Sequence, residues 1–170
     1  MKLADISNFN KISDYLPILN AVLFTDLFFM GVLYYTPLLK SKNLAKWYET
    51  YRLSGMLCDI TIIMIGFVIA RALYYKIFKE FSAWKFIILL LVIQVAHDLL
   101  FAGAFYTIPK GANKMIDMFK EYGNEHGAGA ILGDSLMMIM AGFLAMTLVN
   151  LGQNANIIIL LVLLYLTPYI

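Results

Sequence analysis

Asp26, Asp59, Asp98 and Asp134 each lie inside a run of apolar residues long enough to cross a bilayer, and no glutamate does. An isolated Asp at the centre of a membrane helix costs about 2.5–3.5 kcal/mol on insertion scales. Four would cost roughly 10–14 kcal/mol, the size of a whole domain's stability. Such carboxyls are expected to face the interior of a helix bundle, where they can be protonated, hydrogen-bonded, hydrated or neutralised by a cation. Acids that exchange protons or cations inside a bilayer are the chemistry of an ion or proton pathway. Two further residues belong to that candidate pathway. Gln94 stands four residues before Asp98, so the two share a helix face. His97 is the histidine inside a span, and its unperturbed pKa of about 6.5 suits a proton relay. On its own it reads first as a packed, hydrogen-bonded histidine. Adjacent residues on a helix point about 100° apart, so His97 and Asp98 are expected to diverge. Thr25, Thr61 and Ser135 can offer hydroxyls to nearby carboxylates.

Counter-charges are few. Arg71 lies twelve residues beyond Asp59, roughly 18 Å along the same helix, too far to pair with it. It is expected to snorkel to the interface. Some acids must therefore stay neutral through desolvation, or a mobile proton or small cation must visit them. Other chemistries are poorly served. Cys58 is the single cysteine, which excludes an internal disulfide and a Cys-rich metal site. A membrane di-iron centre needs several His and Glu ligands. A net charge of +2 gives no sign of nucleic-acid binding, and no cofactor is implied. Ile-Leu-Gly-Asp at 131–134 resembles the Gly-x-Gly-Asp motif of presenilin-like proteases, but Ile131 replaces the first glycine and the chain is much shorter than that family. An enzyme is not expected.

The elements that must hold these acids are membrane helices. The chain is 62% hydrophobic with a mean hydropathy of +0.78, more apolar surface than a 170-residue soluble domain could hide. Five apolar blocks run over 15–39, 53–75, 84–108, 128–149 and 154–170. A helix needs about 20 residues to cross the hydrocarbon, so the first four qualify and the fifth is short. No cleavable signal peptide is convincing, and the first block is read as a retained span. Residues 1–14 form an interfacial segment. Connections 40–52 and 110–127 mix charges with Trp47, Tyr48, Tyr51, Met115, Met118, Phe119 and Tyr122 at helical spacing, and read as amphipathic segments in the headgroup region. The expected fold is an all-α integral membrane bundle of four or five transmembrane helices. Lys and Arg are too evenly shared between its two sides for the positive-inside rule to orient it.

The blocks also repeat. "TDLFFMGVLYYTP" at 25–37 matches "HDLLFAGAFYTIP" at 97–109: Asp, Leu, Phe, Gly, Tyr and Pro recur in order. "NLAKWYETY" (43–51) lines up with "KMIDMFKEY" (114–122), and "MLCDITIIMIGF" (56–67) with "ILGDSLMMIMAGF" (131–143), with one insertion. Residues 15–75 and 84–149 thus read as one two-span unit written twice, with 154–170 outside it. Two spans per unit make the copies parallel, related by an axis along the membrane normal. Asp26 and Asp98 become equivalents, as do Asp59 and Asp134, and the four acids fall in one layer. Gly129, Gly133, Ala141 and Ala145 supply small-x-x-x-small pairs for close helix contact, and Gly55 and Gly66 offer the same on the second span.

"YRLSGMLCDITIIMIGFVIARALYY", "HDLL" and "AILGDSLMM" together are similar to uncharacterised small membrane proteins encoded by large DNA viruses of algae and other protists. That resemblance implies no activity. It implies a location in a virion internal membrane or a host membrane, and a structural role. The residues themselves point instead to movement of protons or small cations through the acidic layer. A protomer of four or five helices has thin walls for that task, so a homo-oligomer in the lipid bilayer is expected.

Overall fold

The computed structural model describes residues 3–36 and 41–169. Residues 1–2, 37–40 and 170, which belong to the N-terminal segment, the end of the first apolar block with the start of the first connection, and the last apolar block, lie outside the described residues. The described chain is all-helical. Its α-helices are α1 (Tyr15–Tyr35), α2 (Lys42–Tyr51), α3 (Leu53–Ile77), α4 (Ala83–Thr107), α5 (Lys114–His126), α6 (Ala128–Leu148) and α7 (Gln153–Leu166). Short 3-10 turns at Ile12–Asp14, Val149–Leu151 and Thr167–Tyr169 extend α1, α6 and α7.

Among the described residues, four helices are long and apolar enough to cross a membrane: Ile12–Tyr35, Leu53–Ile77, Ala83–Thr107 and Ala128–Leu151. They are apolar on every face, as helices between lipid and a core must be. α2 and α5 are instead strongly one-sided. Each begins at a side-chain cap. Ser41 Oγ accepts from the Leu44 amide at 3.0 Å, and Asn113 Oδ1 from the Met115 and Ile116 amides at 2.9 and 3.3 Å. α4 stops just ahead of Pro109, which disfavours helix in the residue before it. The C-terminal apolar block makes α7 of 14 residues, about 21 Å long and short of the roughly 30 Å hydrocarbon.

The order long, short amphipathic, long therefore occurs twice. The joints between the second and third members share one backbone shape: Arg52 has φ 45 and ψ −124, Gly127 φ 51 and ψ −125. Glycine adopts this without strain; arginine does not. α2 and α5 touch each other on one side of the bundle. The N-terminal segment, the α3–α4 loop and the turn after α6 lie on the other.

The bundle is tight on the N-terminal side. α6 runs between α1 and α4, with Ala141 and Ala145 fully buried. Phe67, Tyr74 and Phe86 pin α3 to α4, with ring centroids 6.2 Å (Phe67–Phe86) and 5.6 Å (Tyr74–Phe86) apart. α7 packs on α1, where Asn20 Nδ2 donates to Asn156 O at 2.8 Å and Asn156 Nδ2 donates to Leu148 O at 2.9 Å. The small-residue expectation needs correcting at two positions. Cβ atoms added at Gly133 or Gly129 would meet nothing closer than 4.0 Å, because the first half of α6 borders open space rather than a helix. The close approach is about two and a half turns beyond Gly133, at Gly142, where a Cβ would overlap Ile87 of α4. Gly55 and Gly66 do admit neighbours, Trp47 and Met138.

Arg71 also departs from expectation. It is 1% exposed and does not snorkel. Residues 3–14 fold back over its helix, so its guanidinium donates to Asn8 O and to Lys11 O (2.8 Å), lies 3.9 Å from Asp14, and sits 4.1 Å over the Tyr15 ring. The same segment is fastened by the Ala4 amide on Met146 O at 3.0 Å and by Tyr75 Oη on Asp5 at 2.5 Å.

Candidate functional site

On the side of α2 and α5 the bundle opens. α3 and α4 diverge from their aromatic pins, and the gap between them, α5 and α6 is a cavity of about 670 Å³. Asp59, Asp98, Asp134, His97 and Gln94 all line it. The fourth acid does not. Asp26 is 0% exposed, and neither of its oxygens has a hydrogen-bond partner among the described residues. The hydroxyl of Thr25, also fully buried, has none either.

The four carboxyls form a row. Asp26 lies within electrostatic reach of Asp59, Asp59 of Asp134, and Asp134 of Asp98. Among the described residues no three His, Cys, Asp or Glu side chains gather as a metal-binding group, so the acids form a chain rather than a chelating knot.

Their surroundings differ. Asp59 accepts from Tyr48 Oη at 2.8 Å. Asp98 accepts from Gln94 Nε2, and His97 Nδ1 is 3.2 Å from its other oxygen. His97 and Asp98 therefore do meet, against the expectation from helical spacing: flexible side chains of adjacent residues swing together where no neighbour separates them. Both are partly exposed, at 31% and 21% of their side chains. Ser135 does not serve a carboxylate. Its hydroxyl lies 2.9 Å from Gln94 Oε1 and 2.7 Å from Ile131 O, two acceptors that share its one proton, while Thr61 is exposed. Asp134 makes no hydrogen bond among the described residues.

α2 and α5 roof the cavity. Trp47 is 4% exposed, with its ring 4.6 Å from Phe119 and 4.7 Å from Tyr51. The two roof helices are clamped together where Glu125 accepts from the Lys42 and Asn43 amides, each at 3.1 Å. Glu125 sits in the inserted turn that makes α5 longer than α2. Burial raises the Tyr48 phenol well above its ordinary pKa, and the nearby Asp59 and Asp26 charges add to this. Tyr122 is raised likewise, by burial and then Asp134. Both phenols stay protonated; Tyr48 donates to Asp59, and Tyr122 lines the cavity.

Tyr48, Trp47 and Tyr122 are site residues that the sequence presents only as an interfacial apolar face. Their helical spacing is legible; that the face closes over the acids is not. In comparisons with protein families, with characterised proteins and with solved structures, the chain matches none.

Proposed function

We propose that this integral membrane protein moves protons or small cations through its row of four acids. The observation that carries the reading is that neither oxygen of the sealed Asp26 has a hydrogen-bond partner among the described residues, and that Asp134 lines the cavity and accepts no hydrogen bond from them. An acid kept for packing must be repaid by its bonds. An interhelical hydrogen bond in a membrane contributes about 0.6 kcal/mol on average, against about 2.5–3.5 kcal/mol to place an Asp at a helix centre. Two unbonded acids return nothing of that cost. Even Asp98, bonded by Gln94 and His97, regains less than half. What such groups do offer is a proton or a cation site. The cavity reaches three of them from the side of α2 and α5, while Phe67, Tyr74 and Phe86, each 0% exposed, close the opposite half. Passage then requires the acids to exchange between this cavity and an opening through the aromatic pins. Proteoliposomes carrying a pH dye, tested under proton, sodium and potassium gradients, are expected to show flux that Asp98→Asn and Asp134→Asn abolish. Absence of flux under every gradient overturns the reading.

A second reading is favoured by one observation, the chain Ser135–Gln94–Asp98 that ties α6 to α4. In it the protein is a structural or assembly component of a viral or host membrane. Asp98→Asn is then tolerated, and Asp98→Leu weakens the fold by leaving Gln94 unpaired.

A further inference from the structure

We infer that the cavity binds an amphiphilic amine, with a protonated ammonium head among the acids and an apolar body lying between α3 and α4, admitted from the bilayer. This rests on the cation reading of the same acids and names the class of cation.

Size is the first ground. A proton relay or a bare ion needs room for a few waters at about 30 Å³ each. A cavity of about 670 Å³ is of the scale that holds a small organic ligand. Its lining is the second. Asp59, Asp98 and Asp134 share the wall with Ile62, Ile65 and Ile69 of α3 and Leu99 and Phe105 of α4, so apolar surface flanks the acids. A hydrated metal ion or proton has no use for that surface, whereas an alkyl chain or ring covers it. The head group follows from the acids. Asp134 is half-buried, lines the cavity and accepts no hydrogen bond from the described residues. Lys120, the ammonium nearest the cavity, is committed to the Ile108 carbonyl. An ammonium brings three donors and a positive charge to a cluster of acceptors. A carboxylate or phosphate head would meet like charge, and an alcohol would leave that charge uncompensated.

The route of access is the third. On the water side α2 and α5 are held over the cavity by the Trp47–Phe119 contact and the Glu125 clamp. The flank between α3 and α4 carries no such cover among the described residues. Ile65 and Ile69 on one edge and Leu99 on the other are 50%, 40% and 60% exposed, and all three line the cavity. A ligand dissolved in the bilayer reaches the acids head first through that flank without crossing the roof.

The chain has two tryptophans, and Trp84 is 66% exposed, packed on Phe143 away from the cavity. In a Trp84→Phe background Trp47 reports alone. Reconstituted in phosphatidylcholine nanodiscs, this protein is expected to show saturable quenching of Trp47 by 4-bromobenzylamine, whose bromine stays close to the ammonium head. The matching alcohol and carboxylate should give only the linear quenching of membrane partition. Asp59→Asn and Asp134→Asn should each raise the half-saturating amine concentration at least tenfold. Ala102→Phe, on the exposed α4 flank and remote from the acids in chemistry, should do the same by blocking the mouth. Circular dichroism checks that each variant keeps its helix. Equal saturable quenching by the alcohol, or an unchanged half-saturation in both Asn variants, overturns the inference. Proton and cation flux measured on the same protein keeps the two readings apart. Flux without saturable amine quenching sinks the amine site and leaves ion movement. Amine quenching without flux sinks ion movement and leaves the site.

Discussion

In an Asp26→Leu variant the buried carboxyl is exchanged for a side chain of the same branching. Neither Asp26 oxygen accepts a hydrogen bond among the described residues, so the substitution strands no donor. Removing the acid returns about 2.5–3.5 kcal/mol on the insertion scale, and leucine adds roughly 0.3–0.6 kcal/mol of its own. Against this stands overpacking at a fully buried site, about 1–3 kcal/mol, because two methyl groups are bulkier than two oxygens. The balance lies between about zero and 3 kcal/mol of added stability. A packing role for Asp26 predicts the reverse, a loss of about 1–3 kcal/mol as its partners are orphaned. Unfolding by SDS in mixed micelles, followed by helical circular dichroism, measures the difference. Flux in the same variant should vanish while the protein becomes no less stable, since a row of exchanging acids is broken where it is sealed. A destabilisation of more than about 1 kcal/mol would refute the reasoning. Asp26→Asn, which keeps the size, separates loss of ionisation from loss of fit.

Arg71→Met should cost about 2–4 kcal/mol and free residues 3–14 for proteolysis, because two carbonyls lose charge-assisted hydrogen bonds while Asp14 keeps Lys11 at 2.9 Å; Arg71→Lys should recover little, since an ammonium lacks the planar fork. Arg52→Gly should stabilise by up to about 2 kcal/mol, relief of backbone strain at φ 45 (roughly 1–3 kcal/mol) exceeding the entropy glycine adds to the unfolded chain (about 1 kcal/mol); unfolding measurements that show a loss would disprove the strain. Stability should fall as the pH rises above about 10. The folded chain holds Tyr48 and Tyr122 protonated where the unfolded chain releases those protons, so their contribution is complete below the unfolded value and is lost toward the folded one. Absorbance at 295 nm should show late-titrating phenols that Tyr48→Phe and Tyr122→Phe each reduce, and a flat stability profile from pH 10 to 12 would contradict this.

Four long apolar helices could be read directly from the chain because lipid leaves the backbone no other way to satisfy its hydrogen bonds, so length and hydropathy suffice. The acids inside them were legible for the same reason: in such a run a single Asp is conspicuous. The one-sidedness of α2 and α5 followed from a period of 3.6, which is local information. Asp26 and Asp98 sit in matching sequence stretches, set apart locally by Val22 and Thr25 beside the one and Gln94 and His97 beside the other. Yet one is sealed and the other is partly open, because α7 packs on α1 and no matching helix among the described residues covers α4. Nor could the chain alone reveal that Gly142 rather than Gly133 meets a neighbour, or that Arg71 is wrapped by residues some sixty positions earlier. The roof over the acids is of the same kind, since Tyr48 reaches Asp59 only when α2 folds back across α3. Hydropathy and period report which face of a helix is apolar or polar. Which segment arrives at that face depends on contacts between distant parts of the chain, and those decide whether an acid is buried, bonded or left beside an open cavity.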